Sequence, residues 1–182
     1  MTRKSFTVAA VLAAAGVATA VLTTLPIASA TPNGTTAQPA AASSGAGTSV
    51  GTAPYLPLSV AKKVSDIAMQ KGIEKGFPVS VTVVDRDGVV INQQRADTAT
   101  GATVQVSFEK AYAAAGFQTP TADLQNAAKT SPGFTYIPGF SILPGGVPIK
   151  VDGKIVGGIG VSGAPTGELD ADFANAALKT LN

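Results

Sequence analysis

The 182-residue sequence contains no histidine, cysteine or tryptophan. The missing histidine excludes Ser-His-Asp and Cys-His catalytic arrangements and any imidazole metal ligand. The missing cysteine excludes disulfides, zinc knuckles, thiolate nucleophiles, iron–sulfur clusters and lipoprotein acylation. Charge is also scarce, at 13% of residues, about half the usual share of ~25%. A surface this poor in charge favours partial cover in a homo-oligomer. Apolar residues make up 45% of the chain, enough for a core in one domain of ordinary size.

Residues 1–30 read as an export signal: Arg3 and Lys4, an apolar run over 6–25, Pro26, and then Ala28-Ser29-Ala30 as a small-x-small cleavage site. Cleavage is expected after Ala30, giving a secreted protein. The competing reading is an uncleaved membrane anchor, because the run approaches spanning length. Thr2-Arg3-Lys4-Ser5-Phe6 is one substitution from a twin-arginine signal, and the general secretory route is preferred. Loss of Arg3 and Lys4 leaves 11 basic against 11 acidic side chains, so no basic surface for nucleic acid remains.

Residues 31–53 form a Thr/Ala/Gly/Ser/Pro tract without charge, read as a flexible tether. A domain is expected over 54–182. A helix over 59–75 has Ser59 as its cap, an apolar stripe of Val60, Val64, Ile67 and Ala68, and a stop at Gly76. Strands are expected at 79–84 and 89–94 around the turn Asp85-Arg86-Asp87-Gly88. A second helix over 100–115 carries Val104, Phe108, Ala111, Tyr112 and Ala115 at helical spacing, which predicts its buried face. Thr119-Pro120 is read as the cap and first turn of a short third helix. Strands are then expected at 140–143, 147–151 and 154–161, the last two joined by Asp152-Gly153. A final helix buries Leu169, Phe173, Ala177 and Leu178, with Glu168, Asp170 and Asp172 near its positive end. The order predicts an α+β domain with a mostly antiparallel sheet of about five strands packed by helices.

Gly158-Ile159-Gly160-Val161-Ser162-Gly163 spells a dinucleotide fingerprint, but no second strand follows to complete that fold. Close backbone packing in the sheet is the preferred reading. Asp85 and Asp87 lack the further ligands of a calcium loop and are read as turn residues. Lys110 is either a partner for an anionic ligand or a lysine reaching to solvent. Tyr112 is either core or, if its oxygen reaches a pocket, a phenolate for ferric haem. Thr119, Thr121, Gly145 and Gly146 could line a small cleft with hydroxyls and backbone N–H groups.

Six segments, in order and spacing, carry a resemblance: Val83-Val84-Asp85 with Gly88; Lys110-Ala111-Tyr112; Phe117 with Pro120-Thr121 and Leu124; Ile137-Pro138-Gly139; Gly145-Gly146-Val147-Pro148-Ile149; and Gly157 to Gly163. Together they resemble the GlcG/HbpS family of haem-degrading-domain proteins across nearly all of 54–182, most closely its extracellular haem-binding HbpS-like branch. The resemblance implies a profilin-like or PAS-like domain, a homo-oligomer as large as an octamer, and haem or iron binding outside the membrane, in some cases coupled to a membrane sensor kinase. It carries Lys110, Tyr112, Thr119, Thr121, Gly145 and Gly146 over as ligand-binding positions, and Tyr112 is the candidate metal ligand among them. Some relatives ligate haem through histidine, which this chain lacks. Iron would then take Tyr112, a threonine, Met69 or Lys110, or remain five-coordinate. The resemblance leaves two other readings open: a module that docks on a sensor without haem, and an enzyme for small organic acids.

Overall fold

The structure, a computed structural model, describes residues 52–181. The expected export signal and most of the tether lie outside the described residues. The elements in chain order are α1 (Leu58–Glu74), β1 (Ser80–Asp85), β2 (Val90–Arg95), α2 (Gly101–Phe117), α3 (Thr121–Ala128), β3 (Gly146–Val151), β4 (Lys154–Ser162) and α4 (Gly167–Leu178). Short 3-10 turns occupy Pro132–Tyr136 and Lys179–Leu181. Among the described residues no helix is long and apolar enough to cross a membrane.

One four-stranded sheet has the order β2-β1-β4-β3, and every neighbouring pair is antiparallel. The fold is α+β, as the element order predicts. α2 covers one face of the sheet; α1 and α4 pack together on the other. The expected fifth strand at 140–143 does not form. Its backbone is drawn to α2 instead: the Ser141 amide donates to the Glu109 carbonyl at 3.3 Å, and the Phe140 amide closes a turn on Ile137.

Alternation along β1 explains the two faces. Val81 and Val83 join Val147, Ile149, Ile159 and Val161 in the main core, under Val64, Ala68, Phe173 and Ala177 of α1 and α4. Ser80, Thr82 and Val84 point the other way, toward α2. There Ser80 pairs with Thr103 and Thr82 with Ser107, each hydroxyl pair at 2.7 Å. Gln93 of β2 donates to Thr82 at 2.8 Å. The face under α2 is therefore a ladder of hydroxyls and glycines, while the opposite face is aliphatic.

The expected buried stripe of α2 is split. Ala111 and Ala115 are buried, but Phe108, Tyr112 and Val104 are only half-buried. The buried residues of α2 are Ser107, Lys110, Ala111, Ala113, Ala114 and Ala115. Small size decides this. A Cβ on Gly160 would collide with the Ser107 carbonyl, and one on Gly158 with the Ala111 carbonyl. The helix backbone lies directly on the strand, so larger side chains are displaced to its flanks. The fingerprint glycines thus serve close packing.

The local signals explain most boundaries. α1 begins at Leu58, one residue before the expected Ser59, and the Pro57 carbonyl accepts from Val60 and Ala61 at 3.1 and 3.0 Å. It ends as expected at Gly76, with the Phe77 amide returning to the Gly72 carbonyl at 2.9 Å. In the first hairpin turn, Asp85 Oδ1 accepts from the amides of Asp87 and Val89, both at 2.9 Å, so that carboxylate serves the backbone. In β3, Pro148 sits on an edge strand. The Val161 amide donates to the Gly145 carbonyl at 2.9 Å, so alternate pairs exchange hydrogen bonds and the nitrogen of Pro148, opposite Gly158, falls where an amide would point away from β4.

Gly160→Ala is expected to destabilise the fold by about 1–3 kcal/mol through overpacking against α2. The midpoint of denaturant unfolding measures it, and an unchanged midpoint would contradict the close approach described here.

Candidate functional site

Four of the six candidate residues converge where the α2 side of the sheet meets the α4 side. Lys110, from α2, is 2% exposed. Its Nζ donates to Asp170 Oδ2 and to the Val161 carbonyl, both at 2.9 Å. It therefore does not reach to solvent. It is buried in an ion pair with a residue on the opposite layer of the domain. The pair bridges the two layers around the end of the sheet, where β4 gives way to the 163–166 loop.

Gly145 makes that passage possible. Its φ is +125°, and a Cβ there would lie 2.6 Å from the Val161 carbonyl oxygen, 2.8 Å from Lys110 Nζ and 2.9 Å from Asp170 Cβ. Gly146 is pressed on the Lys110 carbonyl. Thr121, fully buried at the start of α3, fastens this loop: its hydroxyl donates to the Leu143 carbonyl at 2.8 Å and accepts from the Gly146 amide at 2.9 Å. Thr121 and the glycine pair thus hold the backbone against Lys110.

A cleft of about 560 Å³ opens above this pair, with Lys110, Asp170, Thr103, Gln125, Pro144 and Glu168 among its lining residues. Asp170 is the residue that sequence reasoning missed. Its position in the first turn of α4 suggested a dipole contact at the surface. Glu168 and Asp172 are indeed exposed, but Asp170 is buried at 3% exposure. The available signal was periodicity: Asp170 lies at helical spacing from Phe173, Ala174 and Ala177 on the buried face. Its Oδ1 accepts from the Ala164 amide at 2.9 Å. Burial pushes the Asp170 carboxyl above its ordinary range, outweighing the pull of Lys110 and of the backbone amides.

Tyr112 and Thr119 lie elsewhere. Thr119 does not cap α3; Pro120 precedes the first residue, Thr121, and the Thr119 hydroxyl turns back to the Phe117 carbonyl at 3.0 Å. Tyr112 stands on the flank of α2 in a column of rings. Phe108 stacks on it at 5.7 Å and 8°, and Phe140 at 4.8 Å and 25°. Phe117 and Phe134 extend the cluster edge-on. Gly88, in the first hairpin turn, lies directly against the Tyr112 ring, where a Cβ would collide. The ring is clamped and half-buried, and its hydroxyl is the single polar side-chain atom of this aromatic shelf.

The two places differ as haem sites. In the cleft, the lysine amine is an ion-paired ammonium with no lone pair to give, so it does not fit iron ligation. Met69 packs against the aliphatic core on the α1 side and belongs to neither place. The aromatic column carries the phenol oxygen of Tyr112, a donor of the kind that binds ferric haem, although the Tyr112 ring itself is stacked against Phe108 and Phe140. Among the described residues no group of three or more acidic, histidine or cysteine side chains could hold a bare metal ion.

A three-layer α+β domain, with an aromatic shelf beside one helix and a buried ion pair around the sheet end, defines the class. Comparison with known proteins gives the family. Residues 56–179 match the family described as haem degrading protein HbpS-like. Protein GlcG of Escherichia coli K12 is 32% identical over 110 residues, 59% of this chain and 81% of that protein. The crystal structure of a double mutant of Streptomyces reticuli HbpS superposes with a TM-score of 0.71 at 35% identity, covering 81% of this chain and 99% of that one. The chain belongs to the GlcG/HbpS family. A PduOC:haem complex shares the fold, with a TM-score of 0.65 at 23% identity, covering 71% of this chain and 96% of that one.

Two outcomes test the ion pair. Lys110→Met leaves a buried carboxylate without its partner and is expected to cost about 3–5 kcal/mol at neutral pH, read by denaturant unfolding. For Asp170 itself, the folded chain holds the carboxyl proton more tightly than the unfolded chain. The resulting stability is present in full below the ordinary carboxylate value and is lost as pH rises through the folded value. Stability is therefore expected to decline with rising pH across that window, and Asp170→Asn should remove the decline.

Proposed function

We propose that this protein is an exported haem- and iron-binding accessory protein that works outside the cell, as a homo-oligomer, in haem or redox sensing. Family membership supports the haem chemistry, and the sequence over 1–30 supports export. The observation that carries the reading is the clamped Tyr112 phenol among aromatic faces. In a chain without histidine or cysteine, it is the side chain best suited to ferric iron.

On this reading Phe108, Phe140, Phe117 and Phe134 supply apolar cover, while Gly88, Phe108 and Phe140 hold the Tyr112 ring in place. Haem held there contributes a redox-active iron. Burying apolar surface is worth about 25 cal/mol per Å², so affinity rests chiefly on cover of the macrocycle. Lys110 has no part in it, because Asp170 already holds the ammonium. The two layers of the domain stay locked together whether or not the shelf is occupied.

Titration of the purified protein with hemin is expected to shift the Soret band and to withstand competition by albumin. Tyr112→Phe should remove the phenolate-to-iron absorption and weaken binding about tenfold or more, the equivalent of about 1.4 kcal/mol. Identical spectra for the variant and the unchanged protein would remove Tyr112 from the site. Hemin binding with no enrichment of a sensor protein from membranes would confine the role to haem handling.

A further inference from the structure

The cleft above Lys110 has no part in the haem reading, yet its floor is unusual. The charged groups that face it are Lys110 from α2 and Asp170 and Glu168 from α4; its other polar lining comes from Thr103, Gln125, Ser162 and Thr166. A lysine ammonium has three donors. Val161 takes one and Asp170 another, which leaves one for a third acceptor. Both oxygens of Asp170 are already engaged, by Lys110 and by the Ala164 amide.

While Asp170 is ionised, the floor is neutral and Glu168 on the rim repels an incoming anion. Protonation of Asp170 changes the balance. It leaves Lys110 as a cation, 2% exposed, without its counter-charge, a state that is costly until another anion replaces it. Asp170 also shows what fits, since Lys110 already grips a carboxylate at 2.9 Å. The volume of about 560 Å³ suits a small molecule. Lys110 and Asp170 both line the cleft, so the pair is in reach of a molecule held there.

We propose that this cleft is a proton-coupled binding site for a small carboxylate, which takes Lys110 as its counter-ion while Asp170 takes up one proton from solvent. No covalent bond of the ligand is made or broken. Charge balances because the bound anion replaces the negative charge that Asp170 gives up. The upward push of burial on the Asp170 carboxyl favours the same protonation. The site is independent of haem.

The test uses trifluoroacetate, a carboxylate that stays ionised across the range, titrated calorimetrically into the purified full-length protein in buffers of different ionisation enthalpy. Binding at one site is expected: above the Asp170 value with uptake of one proton and an affinity that weakens about tenfold per pH unit, and below that value without uptake and with an affinity flat in pH. Asp170→Asn should bind at neutral pH as tightly as the unchanged protein does in acid, with no dependence on pH. Glu168→Gln should tighten binding and leave the slope intact. Tyr112→Phe should bind as the unchanged protein does, so loss of the haem reading and loss of this one are distinguishable. No binding in acid, or binding above the Asp170 value without proton uptake and with an affinity flat in pH, would overturn the proposal. Should Asp170→Asn fail to fold, the proton count of the unchanged protein decides alone.

Discussion

Helix α2 lies so close to the sheet that the carbonyls of Ser107 and Ala111 fill the space that side chains at Gly160 and Gly158 would need. Much else follows from that proximity. Serine, alanine and glycine dominate between the layers, with Thr82 and Val84 of β1, and the hydroxyls there pair with one another, as Thr82 does with Ser107. Large residues on α2 cannot stay underneath. Phe108 and Tyr112 are turned out along the flank, where Phe140 stacks on Tyr112 and Phe117 meets Phe140 edge-on. The aromatic shelf is thus a by-product of tight packing, which gives it a rigid base.

Lys110 shows the same constraint at the end of the sheet. Its long side chain has no room between helix and strand, so it runs past Gly145 to a carboxylate on the opposite layer. A buried pair of this kind adds little net stability compared with apolar packing. It does fix how α2 and α4 sit across the sheet, because neither partner can be left alone at low cost. Thr121 completes the arrangement by tying residues 143 and 146 in place.

The sequence carried much of this plan. The order of helices and strands, both hairpin turns and the helix stop at Gly76 could be read from local chemistry, because glycine, aspartate and β-branched runs act over a few residues. The packing role of Gly158 and Gly160 was readable for the same reason. The face of α2 was not. Helical spacing places Val104, Phe108 and Tyr112 in one apolar stripe, but which stripe is buried depends on the glycines of a strand some fifty residues away. The partner of Lys110 was hidden likewise, since Asp170 reads as one of three acidic residues at a helix start. The strand expected over 140–143 failed because a carbonyl of α2 claimed its backbone. Of the six residues read as ligand-binding positions, Lys110, Thr121, Gly145 and Gly146 lie together in the fold and make internal contacts there, while Tyr112 and Thr119 lie apart from them.

Pro148 has a consequence beyond its own strand. It stands at the outer margin of β3 without an amide hydrogen to offer, so a foreign strand laid along that margin meets a gap in the ladder. The opposite margin, β2, has no such interruption. The two margins of the sheet therefore differ in the donors they can present: β3 lacks one at Pro148, and β2 contains no proline.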